Sequence, residues 1–509
     1  MKPDKTRNWQ RYAERFKLMA AALPALLLAV AIVLRAGVVE RAVGSYTACE
    51  HCYFLPTLGN DAWLLALVLA ILALSCVIAS RTLRVVLRLL SATLVLVVCA
   101  DLVLLDLLTQ RLHLDDVLRI GGALTANWSV VQATLASPAG IAKAVAAVLV
   151  LVALLISCTT VPRQPRLGVA FAALCLVALS FAAYAHSQPL RFVHAVFINN
   201  VIVNNLPQGR LGSYSAPFIA AAREKVAALP HTCEQREGSR RPDVIVLLVE
   251  SLSSWHSALL GSDRDWTPRL DALARDNHYL SRFYANGYST SGAEIAVATG
   301  HVPFNPPGRT EFSFDNYRMR EGTLPTMARA AGYRSLFFTP GDTSFLGLGG
   351  WLRNLGFDQV DGSDDAAYTN QRRWQFGAVE DKSFYERFLA WLDSRDRSQR
   401  FAALLLTVTS HPPFVNPRDG RVDPEGTFRY VDEQIGRFDS ALRERGFYQN
   451  GVLVVMGDHR TMTPLHRNEF EFFGERAFAR VPLVVIGDID MPAVVDAPFQ
   501  QTDLVPSMT

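Results

Sequence analysis

The sequence has almost no excess of charge of either sign. Its 50 lysines and arginines nearly balance 47 aspartates and glutamates, which leaves a formal net charge of +3 over 509 residues. Nucleic-acid binding usually needs basic residues clustered on one face. The sequence shows no such cluster, so we expect no nucleic-acid partner.

Cysteine is scarce where a disulfide-stabilised domain would need it. Of the seven cysteines, only Cys233 follows residue 186, so disulfides do not hold the C-terminal half together. Cys49 and Cys52 have only His51 as a further ligand nearby, and we expect a local disulfide or free thiols there rather than zinc. The other four lie in or at the ends of apolar runs, where they are expected to be small buried hydrophobes: Cys76, Cys99, Cys158 and Cys175.

Long apolar runs, by contrast, are abundant in the first 186 residues. Five of them approach or exceed the roughly 20 residues that a helix needs to cross a bilayer. The first lies too deep in the chain, and lacks the small-residue cleavage pattern, to be a simple signal peptide. Asp101 and Asp106 interrupt the third, where each faces a polar interior or marks the interface. The runs are Leu18–Leu34, Ala62–Ala79, Val85–Leu108, Ile141–Cys158 and Leu167–Ala185.

Basic residues orient these spans. Lysines and arginines gather in the N-terminal tail up to Lys17, in Arg81–Arg88 and in Arg163–Arg166, and such segments face the cytoplasm. The loops 37–61 and 109–139 then lie outside. Because the number of crossings is odd, everything after the fifth span is predicted to be extracytoplasmic.

We therefore divide the chain into three parts. Residues 1–186 are predicted to form a transmembrane domain of five helices with a cytoplasmic N-terminus, 187–242 a connector, and 243–509 an extracytoplasmic catalytic domain. In the connector, Pro189–Pro207 is predicted to be an amphipathic helix on the membrane surface, and Glu234–Pro242 a charged linker.

From Asp243 onward, short apolar runs alternate with helical stretches and Gly/Pro breaks. Continuous Val-, Ile- and Leu-rich runs of this length suit strands buried on both faces, and hence a mainly parallel α/β sheet. The predicted strands are Val244–Val249, Ser335–Phe338, Ala402–Val408, Val452–Met456 and Val481–Ile486. The predicted helices are Pro268–Asp276, Leu324–Ala331, Asp381–Ser394 and Tyr430–Arg445.

Polar residues follow four of these strands. Ligands gather at the carboxyl ends of strands in open α/β sheets, and carboxylates with imidazoles commonly hold Mn²⁺, Mg²⁺ or Zn²⁺. Each residue alone is explained as well by a helix cap or a solvated loop acid, whereas the set together predicts a metal site. In chain order the strands are followed by Glu250, Thr339-Pro340-Gly341-Asp342, Thr409-Ser410-His411 and Gly457-Asp458-His459.

A candidate nucleophile lies in Gly287-Tyr-Ser-Thr-Ser-Gly-Ala-Glu294. Ser291 and Glu294 have the spacing of a capping box that opens an apolar helix. With Ser291 as N-cap, Thr290 would stand just before the helix with its hydroxyl free, beside amides that favour an anion. A metal ion on that hydroxyl would favour an alkoxide nucleophile. Ser289 and Ser291 compete with Thr290 for this role.

With these motifs in this order, the chain resembles the alkaline phosphatase/sulfatase superfamily. Within it, the chain is similar to the lipoteichoic acid synthase-like group, which includes the phosphoglycerol transferases of periplasmic glucans. The resemblance covers both halves and implies five spans followed by an extracytoplasmic sulfatase-like α/β domain. The motifs are Val-Glu250-Ser, Ser-Thr290-Ser-Gly-Ala-Glu, Gly-Tyr-Arg-Ser-Leu-Phe-Phe, Thr-Ser-His411-Pro-Pro-Phe, Gly-Asp458-His459 and Gln501-Thr-Asp-Leu-Val-Pro-Ser-Met.

The resemblance implies a metal-dependent phosphotransferase. Thr290 would attack the phosphorus of a membrane phospholipid head group. The covalent intermediate would pass a phosphoryl-alcohol, with phosphoglycerol favoured, to an envelope glycan or lipid acceptor. One divalent ion, commonly manganese in this group and with Mg²⁺ or Zn²⁺ as alternatives, would be bound by Glu250, Thr290, Asp458 and His459.

Two more residues and a location follow from the resemblance. His411 would contact the phosphoryl oxygens or assist proton transfer. Arg460 would touch phosphate, unless it forms a surface salt bridge. The chain is expected in the bacterial cytoplasmic (inner) membrane, with its catalytic domain in the periplasm or outside the cell.

The chain departs from the group's pattern in two places. Synthases of the group carry a polar Asn/Arg-containing stretch that helps to hold phosphoglycerol, whereas this chain has the apolar Leu346-Gly-Leu-Gly-Gly350. It also ends at Thr509, where relatives usually continue through a final helix, so we expect either a shortened domain or an incomplete sequence.

Other functions compete with this one. A sulfatase would need a Cys/Ser-x-Pro-x-Arg signature, which does not surround Thr290. Phosphoethanolamine transferases share five spans and a threonine nucleophile but usually have several disulfides in the soluble domain, and the single Cys233 argues against them. Water could resolve the same intermediate, as in a phosphodiesterase or phosphatase. A non-catalytic membrane scaffold would have lost ligands, but all four metal positions are filled.

Overall fold

A computed structural model of the chain describes residues 5–44, 53–108, 111–113, 138–159, 163–187, 195–206, 217, 241–303, 314, 317–463 and 465–508. Cys49, Cys52, Cys233 and residues 234–240 of the predicted linker lie outside the described residues. The chain divides into two compact units, one built on the N-terminal helices and one on the C-terminal α/β domain.

Five long helices form the described part of the N-terminal unit. They are α1 (Lys5–Gly44), α2 (Phe54–Val77), α3 (Arg81–Leu108), α4 (Pro138–Thr159) and α5 (Pro165–Ser187). Within α4, the apolar stretch Ala144–Thr159 is shorter than a typical span. The expected helical membrane domain is therefore confirmed, with up to five spans if α4 is counted beside the four that are long and apolar enough: Arg15–Arg41, Phe54–Val77, Arg81–Asp106 and Pro165–His186.

Small residues let two of these helices approach closely. A Cβ placed on Gly59 of α2 would lie 2.1 Å from the Cβ of Ala185 in α5. A Cβ on Gly168 of α5 would lie 3.1 Å from the carbonyl oxygen of Ala73 in α2. Helices in lipid associate through this kind of close packing, because burial of apolar surface gives no advantage there.

Four charged residues buried inside this unit form ion pairs. Arg35 donates to Asp61 at 2.7 Å, and Arg111 donates to both carboxylate oxygens of Asp101 at 2.9–3.2 Å. All four side chains are buried. Asp101 therefore faces a polar interior, whereas Asp106 is partly exposed.

Two short helices follow α5 in the same unit, α6 (Ala195–Ile198) and α7 (Val201–Asn205). Arg35 donates to the carbonyls of Phe197 and Asn199, both at 2.6 Å. The described part of Pro189–Pro207 thus forms two short helices, and its backbone is held by a buried arginine.

The C-terminal unit is built on a mainly parallel sheet, as predicted. Eight strands lie in the order β5-β4-β6-β1-β7-β8-β2-β9. The first five are parallel, β8 is antiparallel to both neighbours, and β3 pairs separately with β10. The strands are β1 (Asp243–Val249), β2 (His278–Leu280), β3 (Phe283–Tyr284), β4 (Arg334–Phe338), β5 (Gln359–Asp361), β6 (Phe401–Leu406), β7 (Gly451–Gly457), β8 (Leu483–Ile486), β9 (Val494–Val495) and β10 (Phe499–Gln500).

All five predicted strands form; three differ from the predicted bounds by one residue at one or both ends, and two differ by two residues at one end. β6 ends at Leu406, so Thr407 and Val408 belong to the following loop, and β8 begins at Leu483 rather than Val481. The central strands are buried on both faces because successive side chains enter opposite cores. In β1, Ile245 and Leu247 face one core and Val246 faces the other.

Helices cover this sheet. The predicted helix Tyr430–Arg445 begins six residues earlier, because Asp423 accepts from the N–H of Gly426 and a proline occupies the first helical position. The described helices are α8 (Pro268–Asp276), α9 (Thr290–Thr299), α10 (Leu324–Ala330), α11 (Leu348–Leu355), α12 (Asp381–Ser394), α13 (Pro424–Glu444), α14 (Arg467–Phe473) and α15 (Leu504–Ser507).

Candidate metal and nucleophile site

The pairing of the central strands brings two acids together. β1 and β7 run parallel, with Val249 opposite Gly457. Glu250 and Asp458 are the next residues on the two strands, so they meet at the carboxyl edge of the sheet. Both side chains are buried.

His459 completes a group that can hold a cation. Its Nε2 lies 3.3 Å from Asp458 Oδ2 and 3.6 Å from Glu250 Oε1. Ligand atoms of the three residues all lie within 4.8 Å of one another. Two carboxylates and an imidazole suit a divalent ion such as Mn²⁺, Mg²⁺ or Zn²⁺.

Hydrogen bonds direct these ligand atoms inward. His459 Nδ1 lies 2.8 Å from the carbonyl of Arg460, so in the neutral ring Nδ1 donates and the Nε2 lone pair faces the carboxylates. Asp458 Oδ1 accepts from the N–H groups of Ser251 and His459 at 2.7 and 2.6 Å. Its Oδ2 is buried and has no hydrogen-bond partner in the described part of the chain. An orphaned buried oxygen beside a free imidazole lone pair fits a bound cation.

The pKa shifts of two of these side chains also favour a bound cation. Burial raises the pKa of Asp458 well above its usual range, and the charge of Glu250 raises it further. Burial also lowers the pKa of His459. Without a cation, this pocket therefore disfavours charge on its own side chains, and a divalent ion would remove that penalty.

Thr290 contributes a hydroxyl to the same group. Its Oγ1 donates to Glu250 Oε2 at 3.1 Å and lies 3.3 Å from His459 Nε2. The threonine is half-buried, whereas the three other side chains are buried. Ser289 and Ser291 instead bring their hydroxyls together, 3.1 Å apart. Of the three competing hydroxyls, the Thr290 hydroxyl is therefore the one that contacts the candidate metal ligands.

The predicted capping box does not form. Ser289 is the N-cap of α9 and Thr290 is its first residue, so Ser291 and Glu294 lie inside the helix. The loop folds back tightly here, since a Cβ on Gly287 would lie 2.7 Å from Gly292 Cα. Glu294 is buried, and burial followed by the charge of Glu250 raises its pKa well above the usual range.

His411 lies near this group on the loop after β6. The ring is half-buried and makes an edge-to-face contact with Phe376, with centroids 4.6 Å apart. Burial is the main cause that lowers the pKa of His459, and charge on His411 contributes to it. His411 therefore lies within electrostatic range of the candidate metal group.

Asp381 anchors the start of the His411 loop. Thr409 Oγ1 donates to Asp381 Oδ1 at 2.7 Å, and the N–H of Asp381 donates back to Thr409 Oγ1 at 3.0 Å. Asp381 is buried, and its Oδ2 has no hydrogen-bond partner among the described residues. Burial raises the pKa of Asp381 to about 6.

This shift predicts a pH-dependent stability. A raised folded-state pKa means that the stability supplied by neutral Asp381 is complete below the unfolded pKa and is lost as pH rises through about 6. The loss amounts to about 3 kcal/mol. In thermal unfolding of the full chain, the stability of Asp381→Asn relative to wild type should rise between about pH 4 and pH 7 and stay constant above pH 7. The exposed control Asp364→Asn should show no such trend, and a pH-independent difference for Asp381→Asn contradicts the prediction.

Arg460 has a protein partner. Its guanidinium donates to both carboxylate oxygens of Glu469 at 2.8 and 2.7 Å, and the pair is buried. Arg460 thus forms a salt bridge, but a buried one rather than the surface salt bridge that was the alternative. Its contact with phosphate stays a prediction. The sequence alone does not show which acid will pair with an arginine. Among the described residues, Asp342 is not part of the metal group; its carboxylate accepts from the N–H and hydroxyl of Ser344.

Supporting residues escape sequence reasoning. Ser410 Oγ donates to the carbonyl of Glu250 at 2.5 Å. Gln501 Nε2 donates to the carbonyl of Asp458 at 2.6 Å, while its Oε1 accepts from the N–H of Asn286 at 3.0 Å. Gln501 thus ties the metal-ligand loop to the segment before Thr290. In the sequence, the one indication of this role is that Gln501 begins the last of the family motifs, to which no function was assigned.

This site lies in a part of the chain that matches a known protein family. The sulfatase family model matches residues 242–509, just over half of the chain. The chain belongs to the sulfatase family. This confirms the resemblance drawn from the motifs.

Relatives of the family domain carry names from the expected group. The chain is 25% identical over 287 residues to a lipoteichoic acid synthase-like protein, YvgJ, of Bacillus subtilis, which covers 52% of this chain and 44% of the relative. It is 26% identical over 222 residues to phosphoglycerol transferase I of Escherichia coli, covering 39% of this chain and 28% of that protein. The chain thus spans less than half the length of these relatives.

A solved structure matches both halves. The lipooligosaccharide phosphoethanolamine transferase EptA of Neisseria meningitidis, an integral membrane protein, has a TM-score of 0.53 and 15% identity. The match covers 96% of this chain and 94% of EptA. At this identity the likeness shows a shared fold, and the chain is a membrane protein of the sulfatase family.

Proposed function

We propose that this chain is a metal-dependent phosphotransferase that moves a phosphoryl-alcohol, with phosphoglycerol favoured, from a membrane phospholipid to an envelope glycan or lipid. The observation that carries the proposal is the position of the Thr290 hydroxyl, within 3.3 Å of both Glu250 and His459. Relatives named lipoteichoic acid synthase and phosphoglycerol transferase support the choice of reaction.

The cation would be held by Glu250, Thr290, Asp458 and His459. When bound, it would favour the alkoxide of Thr290 and offset charge on the phosphoryl oxygens. Manganese is the ion favoured for this group. His411 lies on the loop beside this group, where its ring would contact a phosphoryl oxygen or pass a proton.

The reaction then proceeds in two displacements on Thr290. Thr290 Oγ1 forms a bond to phosphorus while the bond from phosphorus to the diacylglycerol oxygen breaks, and that oxygen takes up a proton. An acceptor hydroxyl next attacks the phosphorus, loses its proton, and releases Thr290. Before the first step, Glu250 accepts from the Thr290 hydroxyl at 3.1 Å and so holds this oxygen beside the residues that would bind the cation.

Arg460 stays a proposed substrate-binding residue, and its contacts also suit a supporting role. Its bidentate pair with Glu469 fixes the residue whose carbonyl accepts from His459 Nδ1. We therefore include it as a residue that holds the ring of His459 in place.

A phosphoethanolamine transferase is the second candidate. Two observations favour it: the likeness of fold to EptA over nearly the whole chain, and the apolar Leu346–Gly350 segment where a polar glycerol-binding stretch was expected. A phosphodiesterase or phosphatase would use the same site with water as acceptor.

The transferred group decides between these candidates. The full-length chain in lipid nanodiscs would be given Mn²⁺ and either phosphatidylglycerol or phosphatidylethanolamine, with diacylglycerol release and the mass of the Thr290 peptide as readouts. We expect diacylglycerol from phosphatidylglycerol and a phosphoglycerol adduct on Thr290. A phosphoethanolamine adduct selects the second candidate, and free glycerol phosphate without transfer to an added glycan selects the hydrolase.

We also propose that the protein lies in the bacterial cytoplasmic membrane with its catalytic domain on the outer side. The basic segments near Arg81 and Arg163, which follow the positive-inside pattern, support this orientation. Protease added to spheroplasts should cut the C-terminal domain, whereas protection in spheroplasts and cleavage in inverted vesicles would show the opposite orientation.

A further inference from the structure

Ser251 occupies an unusual backbone conformation beside the candidate metal group. Its φ is +56°, in the left-handed region that residues other than glycine rarely adopt. The residue is fully buried and directly follows Glu250 at the end of β1. Such conformations persist where surrounding contacts determine them, and they concentrate at functional sites.

Three hydrogen bonds hold Ser251 in this conformation. Its hydroxyl donates to Glu250 Oε1 at 2.6 Å, and its N–H donates to Asp458 Oδ1 at 2.7 Å. Its carbonyl accepts from Thr461 Oγ1 at 2.6 Å. One residue thus contacts both carboxylates of the group, although they come from strands about 200 residues apart in the chain.

Ser251 holds one oxygen of each carboxylate and leaves the second oxygen for the other members of the group, although the held Glu250 Oε1 also lies 3.6 Å from His459 Nε2. Glu250 Oε2 lies 3.1 Å from Thr290 Oγ1, and Asp458 Oδ2 lies 3.3 Å from His459 Nε2. A carboxylate with one oxygen held by a donor cannot rotate freely, so the second oxygen stays directed at the cation position.

We propose that Ser251 is a positioning residue that sets the orientation of both carboxylate ligands before the metal binds. A glycine would adopt this backbone conformation without strain but has no hydroxyl for Glu250. The serine therefore keeps a strained conformation together with a donor that glycine cannot supply. This inference rests on the metal-binding part of the proposed function and is independent of which lipid is used.

Two substitutions separate the hydroxyl from the backbone strain. Ser251→Ala removes the hydroxyl and keeps the strain, whereas Ser251→Gly removes both and keeps the N–H to Asp458. Ser254→Ala is the matched control, because Ser254 is also a fully buried serine, three residues away, and its hydroxyl has no hydrogen-bond partner among the described residues.

The test is a titration of the chelator-stripped, full-length chain with Mn²⁺ against a competing fluorescent chelator, together with thermal unfolding of the metal-free proteins. We expect both Ser251 variants to bind Mn²⁺ roughly 10- to 100-fold more weakly than wild type. Ser254→Ala should bind like wild type, and metal-free Ser251→Gly should unfold at a temperature no lower than wild type. A merely structural role would lower that temperature and leave the affinity of the folded protein unchanged.

Wild-type affinity in Ser251→Gly would overturn the inference, because it would show that the hydroxyl is not needed. The titration contains no lipid, so it decides the role of Ser251 even where the transferase assignment fails. Failure of the assignment would appear separately, as Mn²⁺ binding by wild type without turnover of phospholipid.

Discussion

Changing Thr290 to alanine is expected to lower diacylglycerol release from phospholipid by roughly 10³-fold or more, the scale of losing a nucleophile that forms a covalent intermediate. Thr290 Oγ1 lies 3.1 Å from Glu250 in the candidate metal group, whereas the two neighbouring serine hydroxyls contact each other. Alanine also removes the site of the adduct. The measurement is initial rate with labelled phosphatidylglycerol, together with the mass of the peptide that contains residue 290.

Matched serine variants test whether the effect belongs to Thr290 alone. Ser289 and Ser291 share a hydrogen bond with each other at 3.1 Å, so Ser289→Ala and Ser291→Ala should keep activity within roughly tenfold of wild type. Thr290→Ala should remain folded, because residue 290 is half-buried and alanine is favourable in the first turn of a helix. Equal turnover by Thr290→Ala and wild type would rule out the proposed nucleophile.

The parts of the fold that could be predicted are those with a strong local pattern. Central strands such as Val452–Met456 are apolar throughout because both faces are buried, and this pattern is visible without any knowledge of neighbours. The short strands His278–Leu280 and Val494–Val495 are not predicted, because two or three residues carry no periodic pattern and pair only where the fold brings them together.

The candidate ligands could be predicted for a related reason. Parallel strands end at the same edge of the sheet, so the residues after β1 and β7 could be expected at one edge, and they meet because the two strands are neighbours. The register of Val249 with Gly457 then sets Glu250 beside Asp458. The roles assigned to these residues remain proposals, but their proximity is a direct result of strand topology.

Side-chain partners on irregular segments could not be predicted. The Ser291–Glu294 spacing fitted a capping box, yet tight packing of Gly287 against Gly292 starts the helix at Thr290 and buries Glu294. Ser251 has no sequence signal either. Its left-handed backbone depends on contacts with residues more than 200 positions away, and a local pattern cannot carry such information.

Removal of the metal is the second change with a large expected effect, and Asp458→Asn is the variant that isolates it. A divalent ion at 100 times its dissociation constant should stabilise the wild type by about 2.7 kcal/mol. For a domain of this size that is an increase of roughly 5–10 °C in melting temperature. The substitution removes a charged ligand, so the variant should show little increase with Mn²⁺ and little turnover.

Without metal, Asp458→Asn is expected to have a higher melting temperature than wild type. Burial and the charge of Glu250 raise the pKa of Asp458, so in wild type the stability supplied by the neutral acid is lost as pH rises through that raised value. The asparagine introduced by Asp458→Asn carries no charge, and its oxygen can still accept from the N–H groups of Ser251 and His459. Its NH₂ group replaces the partnerless Oδ2 that lies 3.3 Å from His459 Nε2. At pH values above that raised pKa, the metal-free variant should therefore melt at a higher temperature than metal-free wild type. The exposed control Asp419→Asn should melt like wild type both with and without Mn²⁺. If Mn²⁺ raised the melting temperatures of wild type and Asp458→Asn equally, the cation would not be bound by this carboxylate, because a ligand can stabilise a protein only through contacts that the folded state makes with it.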